Sequence, residues 1–245
     1  MSGLLLALLA ATVFFTSLLS GIFGMAGGLI LLWALLFLMP VATAIAVHGM
    51  VQVVSNGSRA WFTRAYIDWR ILGVLCLGTI SAVVVLLLVS YRPNIIVISI
   101  VIGLMPLLVW LPLGRLQLDA TRPSHAFFCG FISGGLAIGV GVSGPIIDIS
   151  LVRSQIDRRH VIATKAAAQF LNHGTKVAFY WSAAAAMPAS DWWAVAVAVP
   201  LAVVGTQAGN FVLHRMTDIG FRLWTRWIVT GIGAIYLARG IAQLM

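Results

Sequence analysis

The sequence has no glutamate and only six aspartates in 245 residues, and charged residues of both signs make up just 9% of it. A soluble domain carries roughly a quarter charged residues, so this chain has too few charges to build a wetted surface. With 61% hydrophobic residues and a mean hydropathy of +1.06, lipid must cover much of it, and it reads as an integral membrane protein. Cysteine is scarce as well. Cys76 and Cys129 both lie inside apolar runs with no CxxC or Cys/His spacing, which excludes a disulfide framework or a zinc site and leaves them as packing residues. No nucleotide-binding loop, catalytic triad or metal cluster is present. The Gly21–Gly28 stretch lacks the preceding strand and following acidic residue of a dinucleotide fingerprint. Neither a cofactor nor an enzyme is therefore expected. The 15 Lys and Arg residues would point to nucleic acid in a soluble protein. Here the arginines fall in short gaps between apolar segments, where cytoplasmic anchors belong, so nucleic acid is excluded as a partner.

A spanning helix needs about 20 apolar residues. Segments of that kind run over Leu4–Phe23, Thr43–Ala60, Ile71–Val89, Ile95–Leu113, Ala126–Val152, Val161–Ala183, Trp192–Leu213 and Trp227–Leu244. The first has no Lys or Arg before it and no small-residue cleavage site, so it reads as a membrane segment, not a cleaved signal. A further apolar stretch, Gly27–Met39, is short for a span and follows a glycine break over Gly24–Gly28. The fifth segment is interrupted in the same way over Gly139–Pro145. Glycine and proline weaken helix propagation. Irregular backbone at membrane depth survives only inside protein or beside a water-filled cavity, so both breaks are candidate site elements.

The two breaks share one offset of 117 residues, which carries Gly24 onto Gly141 and Gly27 onto Gly144. The same offset carries Gln52 onto Gln169, Gly57 onto Gly174, Ser58 onto Thr175 and Arg59 onto Lys176. A glycine motif and a polar motif sharing one ungapped offset identify an internal duplication, with halves at 1–117 and 118–245 forming one transport domain. The fold expected is an all-α membrane bundle of two inverted repeats, each a glycine-broken helical hairpin plus three transmembrane helices. Charge decides the inversion. If each broken region enters and returns on one face, Arg92 and Arg239 fall on one side; with Lys165 and Lys176 inside segments, the other 11 of the 15 basic residues fall on the opposite side. The basic face is then cytoplasmic by the positive-inside rule, and both termini are expected on the periplasmic side of a bacterial inner membrane. Inverted repeats with broken helices at the midplane are a common transporter architecture.

The glycine breaks carry the first candidate site residues: Gly24, Gly27 and Gly28 in one half, Gly141, Ser143 and Gly144 in the other. A helix restarting after a break offers free backbone N–H groups and the positive end of its dipole, which suits an anion; tight helix packing by small residues is the competing explanation. Gln52 and Gln169 come next. From Val41 to Gln52 is about 16 Å of helix, roughly the bilayer centre. Their amides can donate to substrate oxygens or lock helices together, and Asn56 and Asn172 lie one turn further on with the same two roles open. Arg59 and Lys176 are equivalent and are expected near the cytoplasmic and outer mouths respectively, to draw in anions or to snorkel as anchors. Asp148 and Lys165 lie inside apolar sequence, where charges are usually paired or functional, and are expected to pair with each other, either structurally or to couple protons. His48, equivalent to Lys165, is a proton-relay candidate or a hydrogen-bonded core histidine. His173 reads as a satisfied polar neighbour of Gln169.

Two glycine-rich breaks, each followed by an Ala-rich helix carrying a polar motif, resemble the TauE/SafE family of sulfite and organosulfonate exporters. The resemblance runs nearly the whole chain, including the Ile67-Asp68-Trp69 and Ser190-Asp191-Trp192 segments, and the family's repeated glycine motif falls on Gly24–Gly28 and Gly141–Pro145. Met25 and Ala26 interrupt the first copy and Pro145 ends the second, so the chain reads as a divergent member. The resemblance implies export of a small sulfur-containing anion (sulfite, a sulfonate or thiosulfate) by alternating access, driven by a proton gradient or the membrane potential. A passive anion channel, or a carrier for other small organic anions, is the alternative. The partners expected are that anion and the lipid bilayer, with a homodimer left open.

Overall fold

The structure, a computed structural model, describes residues 3–23, 25–110, 118–152, 154, 156–213 and 215–245. Gly24, Arg115 and Arg153 thus lie outside the described residues. Every regular element described is helical. They are α1 (Gly3–Phe23), α2 (Met25–Leu38), α3 (Val41–Phe62), a 3-10 turn (Arg64–Tyr66), α4 (Trp69–Leu88), α5 (Ile95–Leu104), α6 (Pro106–Trp110), α7 (Pro123–Gly139), α8 (Gly144–Val152), α9 (Arg158–Phe179), α10 (Trp181–Ala185), α11 (Ala189–Leu213) and α12 (Asp218–Ala242).

Local sequence sets the boundaries. Asp68 caps α4 by accepting from the Ile71 amide, Asn94 caps α5, Asp157 caps α9 and Thr217 caps α12. Three boundaries differ from the hydropathy reading. Ile95–Leu113 is not one helix: Pro106, which has no N–H to continue the ladder, opens a separate α6 after Met105. The last helix begins at Asp218, well before Trp227, because the Thr217 cap starts it within a stretch whose arginines hide it from an apolar count. Helix α11 begins at Ala189, three residues before the Trp192 of the apolar segment, with Asp191 in its first turn. By length and composition, α4 and the Asp191–Leu213 part of α11 are each apolar enough to cross a membrane. At 22 residues, α3 and α9 are about 33 Å long, but they carry the buried polar side chains.

Small residues let the helix backbones touch. A Cβ on Gly209 would overlap the Leu18 carbonyl, and one on Gly205 would lie 2.5 Å from the Phe14 carbonyl, which seats α1 alongside α11 in parallel. Likewise Gly130 abuts the Leu75 carbonyl and Gly134 abuts Thr79, seating α4 parallel to α7. The central pair runs the other way. Gly49 of α3 faces Lys176 and Val177 of α9, whereas Gly57, further along α3, faces Phe170, so α3 and α9 are antiparallel. The pair α5 and α12 is antiparallel too, with Gly103 against Leu237 and Gly240 against Ser99 and Ile100. Aromatic side chains such as Trp61, Trp69 and Trp193 stay exposed near helix ends, where interfacial residues of a membrane bundle belong. Arg64 stacks over Trp61 at 4.5 Å and Arg239 over Phe37 at 4.2 Å.

Candidate functional site

The site forms where the two restarted helices, α2 and α8, abut the crossing pair α3 and α9. A Cβ on Gly144, the first residue of α8, would lie 3.2 Å from Met25 Cβ, the first residue of α2. Two helix N-termini, one from each half, therefore meet at the centre of the bundle. The first-turn amides of each have no partner in their own helix, and the positive ends of both dipoles point there.

Each N-terminus faces a glutamine. The missing side chain of Gly28 leaves room for Gln52 Nε2, which a Cβ would overlap, and Gly144 leaves room for Gln169 Nε2, 3.1 Å from where its Cβ would stand. Gln52 is 8% exposed and Gln169 7%, yet neither side-chain amide makes a hydrogen bond to the described residues. Of the two roles open to these amides, locking helices together is thus not seen. Unlike His48 Nε2 and His173 Nδ1, the unpartnered amide atoms are not fully sealed, so they stay open to a ligand or water.

The other expected residues divide. Gly27 belongs to packing, because its bare Cα faces the Thr16 carbonyl and Ser20 of α1. Ser143, just before α8, accepts from Asn172 Nδ2 at 3.3 Å and keeps its own O–H as a donor. Asn172 is fully engaged: Nδ2 also donates to Ser133 at 3.2 Å, and Oδ1 accepts from Thr79 at 2.9 Å. It therefore holds the second break against α4 and α7. Asn56, which the offset of 117 equates with His173, donates to the Gln52 carbonyl one turn back at 3.0 Å. Thr79 and Ser133 were not foreseen, because single hydroxyls in apolar runs carry no periodic signal; nor was the Ser55–Thr206 bond of 2.7 Å between α3 and α11.

Lys176 is not near a mouth, nor does it snorkel. It is fully buried, with Nζ 2.7 Å from His48 Nδ1 and 3.0 Å from the Gly141 carbonyl. The antiparallel crossing turns it inward. Gly141 adopts φ +84°, a left-handed conformation that favours glycine, and this aims its carbonyl at the lysine. His173 is not satisfied either: its Nδ1 has no partner, and its ring stands edge-on to His48 at 5.7 Å. His48 Nε2 lies toward the Gly28 backbone without forming a well-aligned hydrogen bond.

Arg59 stands apart, about 10 Å or two turns beyond Gln52 along α3. It donates a long bond of 3.4 Å to the Ser20 carbonyl and lines a pocket of about 180 Å³ with Phe62, Thr63, Ile162, Thr206, Gln207 and Asn210. Asp148 pairs with Lys165 at 2.5 Å, as expected, and lies within electrostatic reach of Arg59. Among the described residues, no group of histidine, cysteine and acidic side chains is arranged to hold a metal.

No curated protein and no solved structure gives a significant match to the chain. The profile of one family, described as Sulfite exporter TauE/SafE, matches residues 9–236, nearly the full length. The chain therefore belongs to the sulfite exporter TauE/SafE family of membrane transporters.

Proposed function

We propose that the protein exports a small sulfur oxyanion, sulfite or an organosulfonate, across the bacterial inner membrane as a secondary transporter. One observation carries this reading: the side-chain amides of two largely buried glutamines, Gln52 and Gln169, face the glycine-opened N-termini of α2 and α8 without a hydrogen-bond partner among the described residues. A tetrahedral or pyramidal oxyanion accepts several hydrogen bonds, and helix N-terminal amides with side-chain amides supply donors without a buried net charge. Ser143 adds a hydroxyl, and Asn172 positions it. Arg59 and the pocket it lines serve as the entry from the cytoplasmic side.

The site draws one set of donors from each half of the chain, 1–117 and 118–245. The offset of 117 carries the bounds of α3 onto those of α9, and these two equivalent helices pack antiparallel. A twofold that relates antiparallel spanning helices lies in the membrane plane, which supports inverted repeats and, with the arginine asymmetry, periplasmic termini. Alternating access then moves one half against the other around the fixed site, driven by the proton gradient or the membrane potential.

The test is efflux from proteoliposomes loaded with sulfite. Gln52→Ala and Gln169→Ala should each slow efflux at least tenfold while the protein still inserts and folds. Wild-type rates in both variants would remove the glutamines from the site.

A further inference from the structure

We infer that the buried Lys176–His48 pair is the coupling element of this transporter, taking up one proton together with each anion bound at Gly28 and Gln52. The inference rests on the anion-export reading above and deepens it.

Lys176 Nζ has two partners, His48 Nδ1 and the Gly141 carbonyl, both of which accept from an ammonium. The same N···N contact holds the alternative in which His48 is the imidazolium and the lysine a free amine. Either way the pair stores one proton, and only N–H bonds are made or broken. The proton comes from bulk water and returns to it on the other side when the anion leaves, so a divalent anion exported with it still carries net negative charge outward. Of the two driving forces named above, this coupling uses the membrane potential and not the proton gradient.

Among the described residues, no carboxylate forms an ion pair with either member. The pair's nearest ionisable neighbour is His173. Of the helices packed around it, α2 and α10 carry no titratable side chain. Helix α11 has only Asp191, in its first turn, and α8 has only Asp148, which is bonded to Lys165. On α4 and α7, Arg70, Cys76, His125 and Cys129 make no bond to the pair. The repeat sharpens this contrast. The offset of 117 equates His48 with Lys165 and Lys176 with Arg59. That second pair has Asp148 beside it, whereas the position equivalent to Asp148 in the first half is Leu31. One of two equivalent basic pairs has a built-in carboxylate and the other does not.

The uncompensated pair opens onto the anion site. His48 Nε2 lies 3.4 Å from where a Cβ on Gly28 would stand, in the same notch as Gln52 Nε2, and makes no well-aligned bond of its own. A buried charge without a partner is strongly disfavoured, so an anion in this notch supplies what the fold omits. By reciprocity the anion favours the proton as much as the proton favours the anion.

The experiment is titration calorimetry on the purified full chain with thiosulfate, ethanesulfonate and sulfite, in two buffers of different ionisation enthalpy at one near-neutral pH. Thiosulfate and ethanesulfonate take up no proton in this range, and sulfite is corrected for its own titration. The buffer dependence of the heat should report up to about one proton taken up per anion. Uptake should fall to near zero in His48→Gln and Lys176→Gln, whose weakened binding a merely structural role would also give; if either variant does not purify folded, the wild-type heat decides. Binding with buffer-independent heat overturns this inference and leaves the anion site standing. No binding of any of the three anions to folded protein overturns the export reading itself.

Discussion

Lys176 and His48 meet at 2.7 Å across the antiparallel α3–α9 interface, and the same lysine reaches the Gly141 carbonyl at 3.0 Å. One buried side chain therefore links α3 to the second glycine break. His48, its partner, faces the first break at Gly28. The breaks, the glutamines and this pair form one polar centre in an otherwise apolar bundle, and several outcomes follow from its geometry.

Gly28→Val should abolish anion binding while leaving the fold intact. The new side chain meets the far end of Gln52, a flexible group that can swing away, so the damage falls on the site. Gly73→Ala is the control, because a Cβ there meets nothing within 4 Å. Binding titration and thermal unfolding of both variants check this. Normal binding by Gly28→Val contradicts it.

Asn172→Ala should cost about 2–4 kcal/mol of stability, because it removes three buried hydrogen-bond partners, Thr79, Ser133 and Ser143. Asn56→Ala removes only one bond, within its own helix, and should cost about 1 kcal/mol or less. Comparing unfolding midpoints in one detergent separates the two. Equal losses would contradict this assignment of the Asn172 network.

Asp148→Asn leaves Lys165 without its partner in a half-buried setting and should destabilise by about 1–3 kcal/mol. Adding Lys165→Met should recover much of the loss, since the uncompensated charge goes too. A double variant no more stable than the single one contradicts this account of the pair.

Single cysteines replacing Arg64 and Arg158 should both react with an impermeant thiol reagent from the cytoplasmic side, in a background with Cys76 and Cys129 replaced. Labelling from opposite faces contradicts the inverted arrangement.

Much of the fold was legible in the sequence because its signals are periodic or repeated. Eight apolar runs and two glycine breaks mark helices and interruptions, and the break before α8 falls at Gly139–Gly144 as the glycines and Pro145 require. What stayed hidden was three-dimensional. The offset equates Lys176 with Arg59, yet one is sealed against His48 and the other lines a pocket. No one-dimensional pattern says which face of α9 the antiparallel crossing turns inward. The Asp148–Lys165 pair was readable because two isolated opposite charges in apolar sequence have few other partners. The Thr79–Asn172–Ser133 network was not, since hydroxyls are tolerated in membrane helices by bonding to their own backbone. Gly27 and Gly28 are neighbours in one motif, but only the packing assigns the first to α1 and the second to Gln52.

The measurement that bears most directly on the anion site is binding of sulfite, thiosulfate, sulfoacetate, sulfate and chloride to purified protein, followed by tryptophan fluorescence. The account predicts saturable binding of at least one sulfur anion, lost in the folded Gln52→Ala/Gln169→Ala double variant. Undiminished binding by that variant would contradict it.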